Sequence, residues 1–319
     1  MENLTLLSDN AIQTTLKILL QDKTTKKNII WATNSYQKYG EKYGEQNEIT
    51  YKSLKKMDIA DLQPRVLKTQ EVQKDRTKKR AEVFTPSWLC NKMNNSCDEQ
   101  WFGRTDVFNV QINDTGWKSK TGKIKFEKIK GKTWQDYVLS RRIEITCGEA
   151  PFLVSRYDTT TGNPIPVSKR IGILDRKLRV VNENTTTEED WFSWVVKAYQ
   201  STYGYEFQGD NLLIARINLV LTFVDYMNHK WKKDPTQKQL MKIARIISWN
   251  VWQMDGLTCE IPLGGPIENE IKQAVPVKFD IGQPDDKCEN NELCVKIRNW
   301  RHGTTSIPVY FKDLAKEKK

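Results

Sequence analysis

The sequence is poor in the residues that build metal and redox centres. It holds two histidines in 319 residues, and its six cysteines (Cys90, Cys97, Cys147, Cys259, Cys288, Cys294) are scattered without a CxxC pair. Zinc sites and dithiol centres draw on closely spaced Cys and His, so metal catalysis is disfavoured and the cysteines read as thiols. His229 and His302 stand in polar, basic surroundings and read as surface residues. No apolar run approaches the ~18 residues of a membrane-spanning helix. The residues after Met1 are acidic and polar rather than basic and then apolar, which is unlike a secretory leader. These absences predict a cytoplasmic protein.

What is present is ample apolar material and an excess of positive charge. With 38% hydrophobic and 29% charged residues and a mean hydropathy of -0.66, the chain reads as globular. At ~150 residues per domain it allows one large or two modest domains. The net charge is +11, and residues 51–80 alone carry ten Lys or Arg against four Asp or Glu. Such clustering is the electrostatic footprint of a polyanion, because neutralised phosphates release counterions, or else a solvated basic face. The end of this run, with Lys74, Arg76, Lys78, Lys79 and Arg80, has almost no apolar anchors and reads as a linker or a phosphate-contacting basic arm.

Residues 1–80 read as a helical, basic N-terminal module, with an amphipathic stretch from Ala11 to Gln21 and helical sequence on both sides of Pro64. Residues 81–319 alternate strand and helix. An extended piece ends at Pro86 and a helix starts near Ser87. Alternate apolar residues at Phe108, Val110 and Ile112 and then Ile124 and Phe126 predict two strands round a Thr115–Gly122 turn. A short helix from Thr133 to Ser140 precedes a strand, Arg142–Cys147. Thr187 and Asp190 offer a capped helix start, with Gly204 ending that helix. A strand follows at Tyr203–Phe207, a long helix from Asp210 to about Trp231, a helix opened by Pro235, and a strand within IISWNVWQMDGL. This alternation predicts an α/β fold, a mostly parallel sheet with flanking helices. The segments at about 105–131 and 155–185 read as insertions.

Four of these segments, in order, resemble the cofactor half of the adenine-specific DNA methyltransferases of restriction–modification systems, of the large fused or "subunit M" type. They are Phe84-Thr85-Pro86; the strand and turn Glu144-Ile145-Thr146-Cys147-Gly148-Glu149-Ala150-Pro151-Phe152-Leu153; Tyr203-Gly204-Tyr205-Glu206-Phe207 with the helix from Asp210; and Asp255 in WQMDGL. The turn demands small residues so that backbone can approach a ligand. Gly148 meets that demand, while Ala150 and Glu144 stand where the family has glycine and aspartate. The resemblance implies a Rossmann-like, S-adenosylmethionine-dependent methyltransferase fold. It implies a cofactor site drawing on Phe84, Thr85, Pro86, Glu144, Thr146, Cys147, Gly148 and Phe152, with Glu206 on the ribose and Asp255 near the adenine. Trp249 and Trp252 read either as adenine-stacking or as core residues.

The family holds its flipped target base in an Asn/Asp-Pro-Pro-Tyr/Phe loop, and no Pro-Pro occurs in this sequence. The string Phe279–Asp285 is the nearest to it and reads as a loop. The chain therefore resembles the family up to the point where the catalytic loop would begin, and no side chain is nominated as catalytic. The resemblance implies DNA as substrate and a second subunit that supplies the catalytic loop and target recognition. The alternative is a catalytically inactive, methylase-like regulator from a phage or mobile element that binds DNA or protein.

Overall fold

The computed structural model describes residues 10–58, 61–68, 85–127, 129–265, 293–300 and 306–316. Lys74, Arg76, Lys78, Lys79, Arg80, Phe84 and the Phe279–Asp285 string lie outside these.

In chain order the helices and strands are α1 (Asn10–Leu20), α2 (Tyr51–Lys56), α3 (Ser87–Phe102), β1 (Asn109–Ile112), β2 (Gly116–Ser119), α4 (Trp134–Leu139), β3 (Arg142–Glu144), α5 (Ile173–Asn184), α6 (Glu188–Gln200), β4 (Thr202–Glu206), α7 (Gly209–Trp231), α8 (Gln237–Asn250), β5 (Val251–Gln253), β6 (Lys296–Arg298), β7 (Pro308–Tyr310) and α9 (Phe311–Lys316). The chain is a mixed α/β protein built on a three-stranded parallel sheet of order β3-β4-β5. Helices α5 and α6 connect β3 to β4, and α7 and α8 connect β4 to β5.

The sheet is covered on both faces, and β4 is wholly buried. Alternate side chains of β4 therefore point into different cores. Tyr203 and Tyr205 join Trp252, Met254, Ile261, Val295 and Ile297 in one cluster. Trp252 is thus a core residue. On the other face Leu174, Leu178, Trp191, Leu212, Phe223 and Ile247 share the main core with Leu16, Leu19, Trp31 and Ile49 of the N-terminal segment. Arg216 of α7 is fully buried and ties that segment to the sheet, donating to the Val251 carbonyl at 2.8 Å and to the Leu19 and Gln21 carbonyls.

Local capping accounts for several helix starts. Thr133 and Asp136 form a capping box on α4, Thr236 and Gln239 one on α8, and the Thr187 hydroxyl accepts the Asp190 amide at 3.3 Å on α6. Such caps satisfy amides that have no intrahelical partner.

The structure corrects the reading of the sequence in three places. The hairpin is tighter than expected: β1 pairs with β2, Ile112 facing Gly116, through a turn with Asn113 at φ 57°. Ile124 and Phe126 lie beyond it and pack instead into an aromatic cluster, Phe126 standing 5.3 Å from Phe102 and 6.0 Å from Tyr137. Gly204 does not end α6, which stops at Gln200. It sits inside β4, where a Cβ would come within 3.3–3.4 Å of Leu153 and Cys147. Cys90, Cys97, Cys147 and Cys259 are free thiols, but Cys294 is disulfide-bonded. Sequence spacing does not show this, because a bridge depends on Cβ atoms meeting in space.

Candidate cofactor site

The turn that follows β3 is held in a conformation that few sequences adopt. Thr146, Gly148 and Ala150 all have positive φ, at 47°, 52° and 66°. The turn is fixed to the sheet by the Cys147 amide, which donates to the Tyr205 carbonyl at 2.7 Å. Gly148 donates to Glu206 Oε2 at 2.8 Å. A Cβ at Gly148 would meet nothing within 4 Å, so the backbone there is approachable. Ala150 is fully buried and its methyl group joins the main core rather than the cavity.

Glu144 closes β3 and is buried. Its two carboxylate oxygens accept the Phe152 and Leu153 amides at 3.4 and 3.2 Å. Burial pushes its carboxyl well above the usual carboxylate range. The two amides act in the opposite direction, and neighbouring Glu206 adds to the rise. Glu206, at the end of β4, is also buried, and its Oε1 accepts the Gln208 amide at 3.1 Å. Burial likewise pushes the Cys147 thiol far up, with Glu144 and Glu206 contributing, so it is not a nucleophile at neutral pH.

Thr85, Glu144, Thr146, Cys147, Gly148 and Phe152 line one cavity of ≈ 80 Å³ at the C-terminal end of β3. That is the end at which parallel α/β sheets bind ligands. The structure therefore gathers residues from two separate sequence segments, 59 or more positions apart. Pro86 caps the start of α3, Glu206 ends β4 behind the Gly148 amide and Asp255 lies beyond β5; none of the three lines the cavity. The Asp255 carboxylate instead accepts the Leu257 amide at 2.8 Å, closing its own turn.

Several lining residues are not among the cofactor contacts that the sequence implied. Glu149 is buried, and its carboxylate accepts the Arg65 amide and the Tyr157 hydroxyl, both at 2.6 Å. Asn218 of α7 donates to the Glu149 carbonyl and the Tyr157 hydroxyl, both at 3.2 Å. Arg156 also lines the cavity, held by Asp225 at 2.9 Å. An acidic residue directly after the turn glycine is the one signal of this wall that the sequence offers.

No protein-family model, curated protein or solved structure matches the chain. Among the described residues, no cluster of three or more His, Cys, Asp or Glu is placed to hold a metal ion, and no helix is long and apolar enough to cross a membrane.

Proposed function

We propose that this chain is the S-adenosylmethionine-binding part of an adenine-specific DNA methyltransferase with a Rossmann-like fold, completed by a partner that carries the catalytic loop and target recognition. The observation that carries this reading is the convergence of the turn after β3 and the acidic end of β4, joined by the bond from Gly148 to Glu206, beside a cavity that Thr85 also lines.

The residues fit the cofactor's chemistry. Glu144 and Glu206 are acceptors for an ammonium group and for ribose hydroxyls, and the open backbone at Gly148 admits a close approach. When bound, S-adenosylmethionine would supply an electrophilic methyl group. The chain's own part is to hold and orient it: Glu206 on the ribose, Glu144 and Thr85 toward the methionine end, and Phe152 as apolar wall. A partner strand would add at β3, which is an edge of the sheet among the described residues. Its Ile143 is 45% exposed and the following Ile145 65%, and an unpaired edge of this kind accepts an added strand.

One observation favours the alternative, a methylase-like regulator without turnover. The cavity measures only ≈ 80 Å³, room for a few water molecules, and Glu206 is already engaged by two amides. Calorimetric titration with S-adenosylmethionine, of the chain alone and with the product of the adjacent gene, separates the two. Binding in either mixture supports the methyltransferase subunit. No binding in both leaves the regulator.

A further inference from the structure

At the other end of the sheet the structure holds a second feature, unrelated to the motifs. Trp249 and Asn250 directly precede β5, so their surroundings lie at its N-terminal end, whereas the cofactor cavity lies at the C-terminal end of the parallel strand β3. Two adjoining hollows of ≈ 600 and ≈ 370 Å³ meet there, sharing Gln21, Lys23 and Trp249. Their cations come from three separate parts of the fold: Lys17, Lys23 and Lys26 from α1 and the loop after it, Arg245 from α8, and Lys296 and Arg298 from β6.

The charge of this groove is in large excess, six cations against one acid in the lining. None of the six cations pairs with a carboxylate among the described residues. The one acid in the lining, Asp22, is buried, and its Oδ2 accepts the Thr25 amide and hydroxyl, both at 2.7 Å. Three of the cations are instead placed over aromatic rings, Lys17 over Tyr51 at 5.9 Å among them. Arg298 lies over Trp249 at 4.9 Å and Trp300 at 5.2 Å, and Lys296 over Tyr310 at 5.3 Å. Trp300 is anchored in turn by its indole N–H, which donates to Asn250 Oδ1 at 2.7 Å. A carboxylate partner would orient a cation and cancel its charge. A ring orients it and leaves the charge available. Positive charge fixed on three elements along one groove is suited to a polyanion that presents charge repeatedly along its length.

We propose that this groove is a track for the phosphodiester backbone of DNA, remote from the cofactor cavity, which fixes how the nucleic acid lies on the protein without reading its bases. It draws on none of the residues of the basic run at Lys74–Arg80, and its test involves no cofactor, so it stands or falls independently of the methyltransferase reading.

The experiment is fluorescence anisotropy of the full chain with a short labelled DNA duplex, and with the matching single strand, across a salt series. The variant K26A/R245A removes two exposed cations that have no carboxylate partner among the described residues. Duplex binding is expected to weaken, and the slope of log affinity against log salt to become shallower by about 2, near 0.9 for each phosphate that is no longer neutralised. The R298Q variant should lower the slope by about 1, and if that substitution disturbs β6 the exposed pair still gives the answer. Unchanged affinity and slope in K26A/R245A would overturn the proposal. So would polyglutamate competing as well as DNA, because the groove would then be a general anion surface.

Discussion

The Gly148 amide donates to the Glu206 carboxylate at 2.8 Å, tying the turn after β3 to the last residue of β4 across 58 positions of sequence. This bond gives Glu206 the task of holding the turn, beside the proposed one of meeting the cofactor, and substitutions separate them. Glu206→Gln removes the charge and keeps an acceptor for only one of the Gly148 and Gln208 amides, because its NH2 group cannot accept, whereas Glu206→Ala removes the charge and both acceptors. The alanine variant is expected to lose ~1–3 kcal/mol of S-adenosylmethionine affinity, the scale of hydrogen bonds to charged groups. The glutamine variant, which leaves one buried amide without its acceptor, should lose a smaller part of the affinity and have a urea midpoint between those of the wild type and the alanine variant. Calorimetry and urea denaturation read the two effects, and undiminished binding by the alanine variant would take Glu206 out of the site.

Glu144 predicts a dependence on pH. Its carboxyl is raised above the ordinary range by burial. The stability associated with its neutral form is therefore complete below the unfolded-state value and lost as pH rises through the folded one. Glu144→Gln cannot ionise but keeps an acceptor for only one of the Phe152 and Leu153 amides, so it should be less stable than the wild type at acidic pH, with the difference between the two urea midpoints shrinking or reversing toward alkaline pH. In the wild type, an ammonium group docking on Glu144 would favour the charged form. Cofactor binding should then release a proton, seen as a calorimetric heat that varies with the ionisation enthalpy of the buffer.

Two glycines should respond differently to the same substitution. At Gly209 a Cβ would overlap the Ile30 carbonyl oxygen and press on Ile49, where the Gly209 amide also donates to the Trp31 carbonyl at 2.9 Å. Gly209→Ala should cost ~1–3 kcal/mol by overpacking and loosen the N-terminal segment from α7, raising its susceptibility to protease. At Gly148 the added methyl meets nothing, so Gly148→Ala should cost only left-handed backbone strain, ~1–2 kcal/mol. Urea denaturation orders the two, and an equal or reversed order would contradict the packing described for Gly209.

What can be read in the sequence follows from how local each signal is. The caps at Thr133, Thr187 and Thr236 act within three residues, and the helices they start are legible. The strand-and-turn at Glu144–Leu153 is legible because its glycine and its β-rich lead are contiguous. Gly204 reads as a helix end because a glycine after a helix is common there. Its real constraint is the approach of Leu153 and Cys147, which only the fold creates. The same holds for the cavity wall. Arg65 reaches Glu149 across 84 residues, and Asn218 reaches it across 69, so no window of sequence contains the pair. The groove cations are harder still, since α1, α8 and β6 each contribute charges that look like ordinary solvated lysines and arginines where they stand.

Lys23 provides a titration that probes the groove directly. Partial burial lowers its ammonium pKa to about 8, and Arg216 of α7, Arg245 of α8 and Arg298 of β6 press in the same direction against the opposing pull of Asp22. In the free protein Lys23 therefore loses its proton near pH 8. A phosphate backbone in the groove favours the charged form and raises that value, so binding takes up a proton in the interval between the free and bound values. Affinity for the duplex should hold steady below pH 8 and fall as pH rises through it. Lys23→Met keeps the apolar stem and cannot titrate; it should bind more weakly at neutral pH and show no such fall. Anisotropy titrations on either side of pH 8, at constant salt, read the difference, and the same decline in the methionine variant would place the titrating group elsewhere.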